Sequence, residues 1–132
     1  MTIETVSNGA TYCIYAGDAD MPIFITINEQ MVKVFKEQET QIGRAFKEEL
    51  KVTEIFVRID SKEHFEIVNL VTRLASMALR AGVDSMKIAK ELQEVYSMTS
   101  QHIIPGTNTL CPSIIARIGI VLEQHINKYK DI

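Results

Sequence analysis

The chain has 132 residues, of which 46% are hydrophobic and 23% charged, the composition of one globular domain rather than a disordered tail. Its 14 basic and 17 acidic residues give a formal net charge of -3, so no bulk positive field favours polymeric nucleic acid or an anionic membrane. Two cysteines are too few for a disulfide framework, and no run of about 18 apolar residues is present to cross a bilayer. The first residues lack a signal-peptide pattern. We therefore expect a single domain over residues 1–132, in a reducing cytosol, with a small and locally bound ligand.

Residues 10–60 are rich in strand-forming sequence. Four short runs of β-branched and aromatic residues predict strands: Tyr12–Tyr15, Ile23–Ile27, Met31–Phe35 and Glu54–Ile59. The polar triplet Asn28–Gln30 predicts a turn across which the third run pairs back on the second. The stretch Gln38–Leu50 suits either a helical turn or a strand, and both alternatives stay open.

Residues 61–129 instead follow a helical period. An apolar stripe with steps of three and four residues predicts a long first helix: Ile67, Val68, Val71, Leu74, Ala75 and Ala78. Asp60 or Ser61 is expected to cap its start, with Glu63 completing a capping box. Gly82 is expected to end the helix in a left-handed conformation.

Two further helices are predicted after Gly82. Asp84 is a good N-cap for the second helix, and the polar connection Ser97–Thr109 leads to a last helix that begins near Pro112. Strands followed by helices, with no linker between them, predict an α+β fold. In this fold an N-terminal antiparallel β-sheet packs against three C-terminal helices.

Histidines and cysteines are the first candidates for chemistry, but no pair of them has the short spacing of a zinc site: His64, His102, His125, Cys13 and Cys111. We expect His64 and His125 to be partly exposed helix residues. Cys111 suits a small buried thiol near a helix start, and the alternative is a nucleophile with His102 as its base. No glycine-rich phosphate motif occurs. The sequence therefore predicts no metal site, no cofactor and no catalytic residue.

A polar loop over Gly106–Ser113 leads into the last predicted helix. The start of a helix offers free N–H groups and a positive dipole to an anion, and the Ser113 hydroxyl adds a further donor. Arg117 follows one turn later on the same side of the helix. The alternative for Arg117 is an ion pair with a nearby glutamate. If this loop binds a ligand, the ligand is expected to carry phosphate.

Three more arginines are candidates for the same ligand: Arg73 and Arg80, which project from one face of the first helix, and Arg58. Phe56 and Arg58 share one face of the strand Glu54–Ile59, where an aromatic ring and a cation could meet a base and a phosphate. The alternative is a solvated sheet face or a subunit contact. Arg80 lies in the last turn of the first helix, a place where the helix dipole favours a cation whether or not a ligand binds.

Four blocks of sequence, taken in chain order, resemble the TSCPD domain: Phe24–Asn28, Glu54–Arg58, Leu74–Val83, and Thr109–Ser113 with Ile115–Arg117. The domain so named is the small C-terminal module of cobalamin-dependent ribonucleotide reductases, and it also occurs alone. Leu110 and Ser113 replace the Ser and Asp of the namesake motif. This resemblance implies a single ligand-binding domain and keeps open a role as an accessory or regulatory module of ribonucleotide reductase.

The same pattern, in a chain of this size, is similar to the first family of phage Thoeris anti-defence proteins. That resemblance implies a non-enzymatic sponge that captures cyclic ADP-ribose isomers, and in some members cyclic oligonucleotides, in the cytoplasm of the infected bacterial host. It also implies homodimers or higher homo-oligomers, such as hexamers, that share ligand pockets. By position, the resemblance implies that the phosphates or riboses are bound by Thr107, Asn108, Thr109, Ser113 and Arg117. It implies that the base contacts Tyr96 or His102. A hydrolase of the same signal, using His102 and Cys111, is the remaining alternative.

Overall fold

The computed structural model describes residues 7–16, 22–35 and 46–130. Three strands form one antiparallel sheet in the order β1-β2-β3, and the remaining elements follow them in the chain. The elements are β1 (Ser7–Tyr15), β2 (Pro22–Phe35), β3 (Phe46–Ile59), α1 (Phe65–Arg80), α2 (Ser85–Gln93), β4 (His102–Ile103), β5 (Leu110–Cys111) and α3 (Ile114–Lys130). The predicted α+β fold, with an N-terminal antiparallel sheet and three C-terminal helices, is confirmed.

Strand alternation builds the core of the sheet. Ile23, Ile25 and Ile27 of β2 point to one face and are fully buried, because successive side chains of a strand alternate between faces. Burial of each such side chain is worth about 1.5–3 kcal/mol. On β3 the register shifts, since Asn28 faces Glu54 while Glu29 faces Val52. This β-bulge changes the phase of β3, so that Val52 also enters the core.

The predicted turn at Asn28–Gln30 is wrong, because β2 runs without a break from Pro22 to Phe35. Glu29 lies inside the strand, where its side chain shares the buried face of Ile27. The second half of β2 pairs with the segment Phe46–Lys51 of β3. The part of Gln38–Leu50 that falls in this segment is therefore a strand and not a helical turn. The rest of that stretch, residues 38–45, lies outside the described residues.

Helix α1 starts later than its sequence predicts. Phe65 is the first helical residue, after the N-cap His64, which is later than a start at Asp60 or Ser61. The Ser61 hydroxyl nevertheless accepts from the His64 N–H at 3.4 Å, so Ser61 caps the turn that leads into the helix, as predicted. A turn takes up the intervening residues and is held by the N–H of Phe65, which donates to the Ser61 carbonyl at 2.9 Å. The predicted stop at Gly82 is confirmed, since this residue has φ +98°.

The expected apolar stripe of α1 is only partly buried. Val68 and Ala75 face the sheet, whereas Ile67 and Leu74 are exposed. A buried hydroxyl on the sheet-facing side, that of Ser76, accepts a hydrogen bond from the Ile55 N–H at 3.0 Å and donates one to the Ile55 carbonyl at 3.1 Å. Ser76 thereby ties α1 to the backbone of β3.

The second and third helices pack closely on one another. The N-cap of α2 is Asp84, as predicted, and α3 begins at Ile114, close to the predicted start near Pro112. Their contact depends on Gly119, because a side-chain carbon there would lie 2.6 Å from the Ala89 carbonyl oxygen. No helix among the described residues is long and apolar enough to span a bilayer.

Candidate functional site

Arg117 is the fourth residue of α3 and is only 8% exposed. Its Nη1 donates to the Tyr15 carbonyl at 3.3 Å and to Nε2 of His102 at 3.1 Å. No carboxylate in the described part of the chain forms an ion pair with Arg117. Burial lowers the pKa of this guanidinium, since a desolvated cation is disfavoured. Among the described residues, Arg117 is therefore a buried positive charge with neutral acceptors, and no glutamate there pairs with it.

His102 holds the guanidinium through a defined tautomer. Its Nδ1 lies 3.0 Å from the carbonyl oxygen of Ser100, which only accepts, while Arg117 only donates. The hydrogen must therefore be on Nδ1, and Nε2 offers its lone pair to Arg117. His102 is 6% exposed and acts as a neutral support that fixes the position of the arginine.

The start of α3 is capped by hydroxyl groups of the protein. Ser113 Oγ accepts from the Ala116 N–H at 2.9 Å and donates to the Val95 carbonyl at 2.6 Å, while Ser100 Oγ accepts from the Ile114 N–H at 3.1 Å. Ser113 itself is buried. An anion at this helix start would have to displace these hydroxyls, so Arg117 is the stronger element of the predicted site.

Thr107, Asn108 and Thr109 lie exposed at the tip of the β4–β5 hairpin. The hydroxyl of Thr107 donates to the Ile104 carbonyl at 2.8 Å and accepts from the Thr109 N–H at 3.1 Å, so it also shapes the turn. Gly106 has φ +80° there, a conformation that favours glycine. The tip thus presents polar groups to solvent.

Tyr96 is exposed beside the same region. Its neighbour Ser97 donates its N–H to the Pro112 carbonyl at 3.1 Å, which brings the end of α2 to the start of α3. The structure therefore places Tyr96, the hairpin and Arg117 around one end of the helical layer.

Arg58 and Arg80 lie apart from Arg117. Arg80 is 3.5 Å from the Glu54 carboxylate, which leaves it in an exposed ion pair of small energetic value. Arg58 lies on the face of the sheet opposite the helices, and its guanidinium carbon is 4.6 Å from the centre of the Phe24 ring. The predicted set of arginines therefore does not form one site.

Cys111 is fully buried, as expected of a structural thiol. Its Sγ lies 3.3 Å from the Ser113 carbonyl oxygen, to which it donates. Burial raises the pKa of the Cys111 thiol, and its backbone hydrogen bond and the charge of Arg117 only partly oppose this. A raised pKa keeps the group neutral, the opposite of what a nucleophile needs.

We expect alkylation at neutral pH to label Cys13, which is exposed, well before Cys111. Because folding raises the pKa of Cys111, its neutral thiol stabilises the folded state at low pH, and this contribution is lost as the pH rises above the ordinary value of 9.0. The Cys111→Ser variant should show a smaller alkaline loss of stability in urea titrations. Rapid labelling of Cys111 in the folded protein would contradict the expected order of alkylation. An unchanged alkaline loss of stability in Cys111→Ser would contradict the expected effect of its thiol.

A buried cluster that the sequence did not predict joins Tyr12, Glu29 and His125. The Tyr12 hydroxyl is 2.6 Å from Nδ1 of His125, and Nε2 of His125 contacts Oε1 of Glu29. Glu29 is 3% exposed and His125 is 2% exposed, so the expectation of a partly exposed His125 is wrong. Within the described part of the chain, Oε2 of Glu29 has no hydrogen-bond partner.

The sequence periodicity indicates that Glu29 and His125 are buried. Glu29 continues the buried alternation of β2 after Ile27, and His125 follows Ile118 and Leu122 at helical spacing on the buried side of α3. Partners that are 96 and 113 residues apart give no local motif, so sequence spacing could not join them.

A groove of about 790 Å³ lies between α1 and α2. Its lining is mainly apolar and contains none of the predicted ligand-binding residues; among its members are Val71, Leu74, Val83, Met86 and Leu92. A phosphate ligand needs donors and cations, and the mainly apolar lining of this groove offers few of them. Among the described residues, no group of three His, Cys, Asp or Glu side chains is placed to hold a metal ion.

Comparison with known proteins identifies a family. The TSCPD domain matches residues 4–126, whereas no curated protein and no solved structure matches the chain. The matched range includes all five strands, the first two helices and most of α3. A match of this extent shows that the chain belongs to the TSCPD domain family.

Proposed function

We propose that this TSCPD-domain protein binds and sequesters a small cyclic phosphate signal of the cyclic ADP-ribose type without cleaving it. Cyclic oligonucleotide signals are a possible extension of the same ligand class. The proposed role is viral immune evasion in the cytoplasm of an infected bacterial host. The observation that carries the proposal is Arg117, a buried cation that has no carboxylate partner among the described residues.

A phosphate would complete the surroundings of Arg117. A buried charge without an opposite charge is costly, and an arginine fork matches the geometry of phosphate oxygens. Because Nη1 is already held by His102 and Tyr15, the guanidinium is positioned before a ligand arrives. Such preorganisation reduces the entropy lost on binding.

Tight capture also requires a closed pocket. A sponge that competes with a nanomolar receptor needs about 12 kcal/mol of binding free energy. One charged hydrogen bond supplies only about 1.5–3 kcal/mol. We infer that copies of the chain combine to enclose the ligand, as a homodimer or a higher homo-oligomer such as a hexamer.

The outward face of α1 supports association between copies. Large apolar side chains there are half exposed: Ile67, Leu70, Leu74 and Met77. A contiguous apolar face of this kind marks an interaction surface in soluble proteins. Burying it against a second copy would remove apolar area from water, which favours association.

Binding without cleavage is supported by the arrangement of His102 and Cys111. Nε2 of His102 is occupied by Arg117, and the buried Cys111 thiol donates to a backbone carbonyl. A nucleophile and its base would instead be hydrogen-bonded to each other. The proposal therefore favours capture of the intact signal over hydrolysis.

The test is to mix the protein with a cyclic ADP-ribose isomer and to remove the protein by filtration. We expect the free signal to be depleted in proportion to the protein, and denaturation of the retained protein to release it unchanged. Native mass spectrometry of the complex counts subunits and ligands. Release of an altered product, turnover under excess ligand, or no depletion would refute the sponge.

A further inference from the structure

The face of the sheet that points away from the helices carries a group of polar, aromatic and cationic side chains. The strand register places its side chains in two rows that cross all three strands. One row contains Thr11, Thr26 and Phe56, and the adjacent row contains Phe24 and Arg58. Residues opposite or diagonal to one another on the same sheet face lie within reach of a single ligand.

These rows enclose a shallow cavity of about 270 Å³. The Thr11 and Thr26 hydroxyls are 2.9 Å apart on one side, and Arg58 covers the Phe24 ring on the other, with 4.6 Å to the ring centre. Phe56 is 53% exposed, so a ring face remains available there. The volume lies just below the range of about 300–1000 Å³ of common ligand pockets, which suits one nucleotide rather than an oligomer.

Two further facts restrict the chemistry of the ligand. Arg58 makes no ion pair with any carboxylate among the described residues, so its charge is available to an anion. The exposed ring of Phe56 offers a stacking surface for any planar base, an interaction that tolerates different sequences and bases. Phe56 and Arg58 are two residues apart on the same face of β3, so a ligand with both a planar group and a phosphate matches this pair.

We propose that the outer face of the sheet is a second ligand site, which binds a nucleoside monophosphate. The base stacks on Phe56, the phosphate binds the guanidinium of Arg58, and the Thr11 and Thr26 hydroxyls face the sugar. The net charge of -3 opposes long nucleic acid, whose binding depends on many cations, and leaves a single nucleotide as the ligand.

This site is separate from the proposed site at Arg117. Arg117 projects from α3 and binds the Tyr15 carbonyl and His102 on the helical side, whereas Arg58 lies on the opposite face of the sheet. Either proposal can therefore be wrong without affecting the other. Loss of binding in an Arg58 variant with intact binding in an Arg117 variant would assign the nucleotide to the outer face.

The experiment measures binding of three probes by calorimetry or ligand-observed NMR. The probes are AMP, adenosine, which lacks the phosphate, and ribose 5-phosphate, which lacks the base. We expect Phe56→Leu to weaken AMP and adenosine about tenfold and to leave ribose 5-phosphate unchanged. Arg58→Gln should weaken AMP and ribose 5-phosphate by a similar factor and leave adenosine unchanged.

Arg73→Gln is the matched control, because Arg73 is an exposed arginine on α1, away from this face. It should leave the affinity for all three probes unchanged. Both variants at the outer face replace exposed side chains, so we expect all proteins to unfold at the same urea concentration. Failure of AMP to bind at millimolar concentration would overturn the proposal. So would variants that change the oligomeric state in sedimentation but not the affinity for AMP, since the face would then bind a second copy.

Discussion

Replacing His125 by leucine is expected to lower the free energy of unfolding by about 3–5 kcal/mol. The substitution removes the side chain that contacts the buried Glu29 carboxylate, whose other oxygen already lacks a partner. An acidic group left alone in the core must either stay ionised without compensation or take up a proton, and both options cost stability. Urea denaturation followed by circular dichroism measures the loss.

Two companion variants separate the causes of that loss. The double substitution Glu29→Leu with His125→Leu should recover much of the stability, because replacing both polar partners with apolar ones is far less costly than leaving one buried. Gln124→Leu, at an exposed position beside His125, should change the free energy by less than about 0.5 kcal/mol. A His125→Leu effect as small as that of the control would contradict a buried, paired Glu29.

Arg117→Ala is expected to weaken binding of a cyclic ADP-ribose probe by about 1.5–3 kcal/mol, the value of a hydrogen bond to a charged group. This corresponds to roughly a tenfold to 150-fold rise in Kd. Isothermal titration of the purified protein with the probe measures the change in Kd. The expected direction follows from the buried guanidinium, which has no anionic partner among the described residues.

Because Arg117 also holds Tyr15 and His102, its removal also affects stability. Arg117→Lys keeps the charge and should bind more tightly than Arg117→Ala, while losing the arginine fork. Lys128→Ala, at an exposed position near the end of α3, should bind like the unmodified protein. Equal affinity of all these variants for the probe would show that Arg117 does not bind the ligand.

The fold was predictable where neighbouring residues determine the structure. The alternation of Ile23, Ile25 and Ile27 and the caps at Gly82 and Asp84 depend on short-range rules, and the structure agrees with them. Glu29 was misassigned to a turn because its polarity is local information, whereas its burial depends on His125, which lies 96 residues away. Tertiary contacts overrode the local preference.

The candidate site was predictable only in part. A helix start with Arg117 one turn later can be read directly from the sequence. The capping of that start by Ser100 and Ser113 could not be, because it depends on how the β4–β5 hairpin folds back. Pairing of β4 with β5 places His102 beside Cys111 and turns His102 toward Arg117. The separation of Arg58 from Arg117 likewise required the orientation of the sheet.

The hydroxyl of Ser76 also limits how copies of the chain can join. The outer strand of a sheet normally offers free N–H and C=O groups that recruit another strand, the first step of aggregation or domain swapping. Ser76 occupies both groups of Ile55 in the second half of β3, so an incoming strand cannot continue the ladder past this point. Growth of the sheet by strand addition is blocked at that edge. The proposed association of copies, if it involved this part of β3, would therefore have to use side chains rather than a shared sheet.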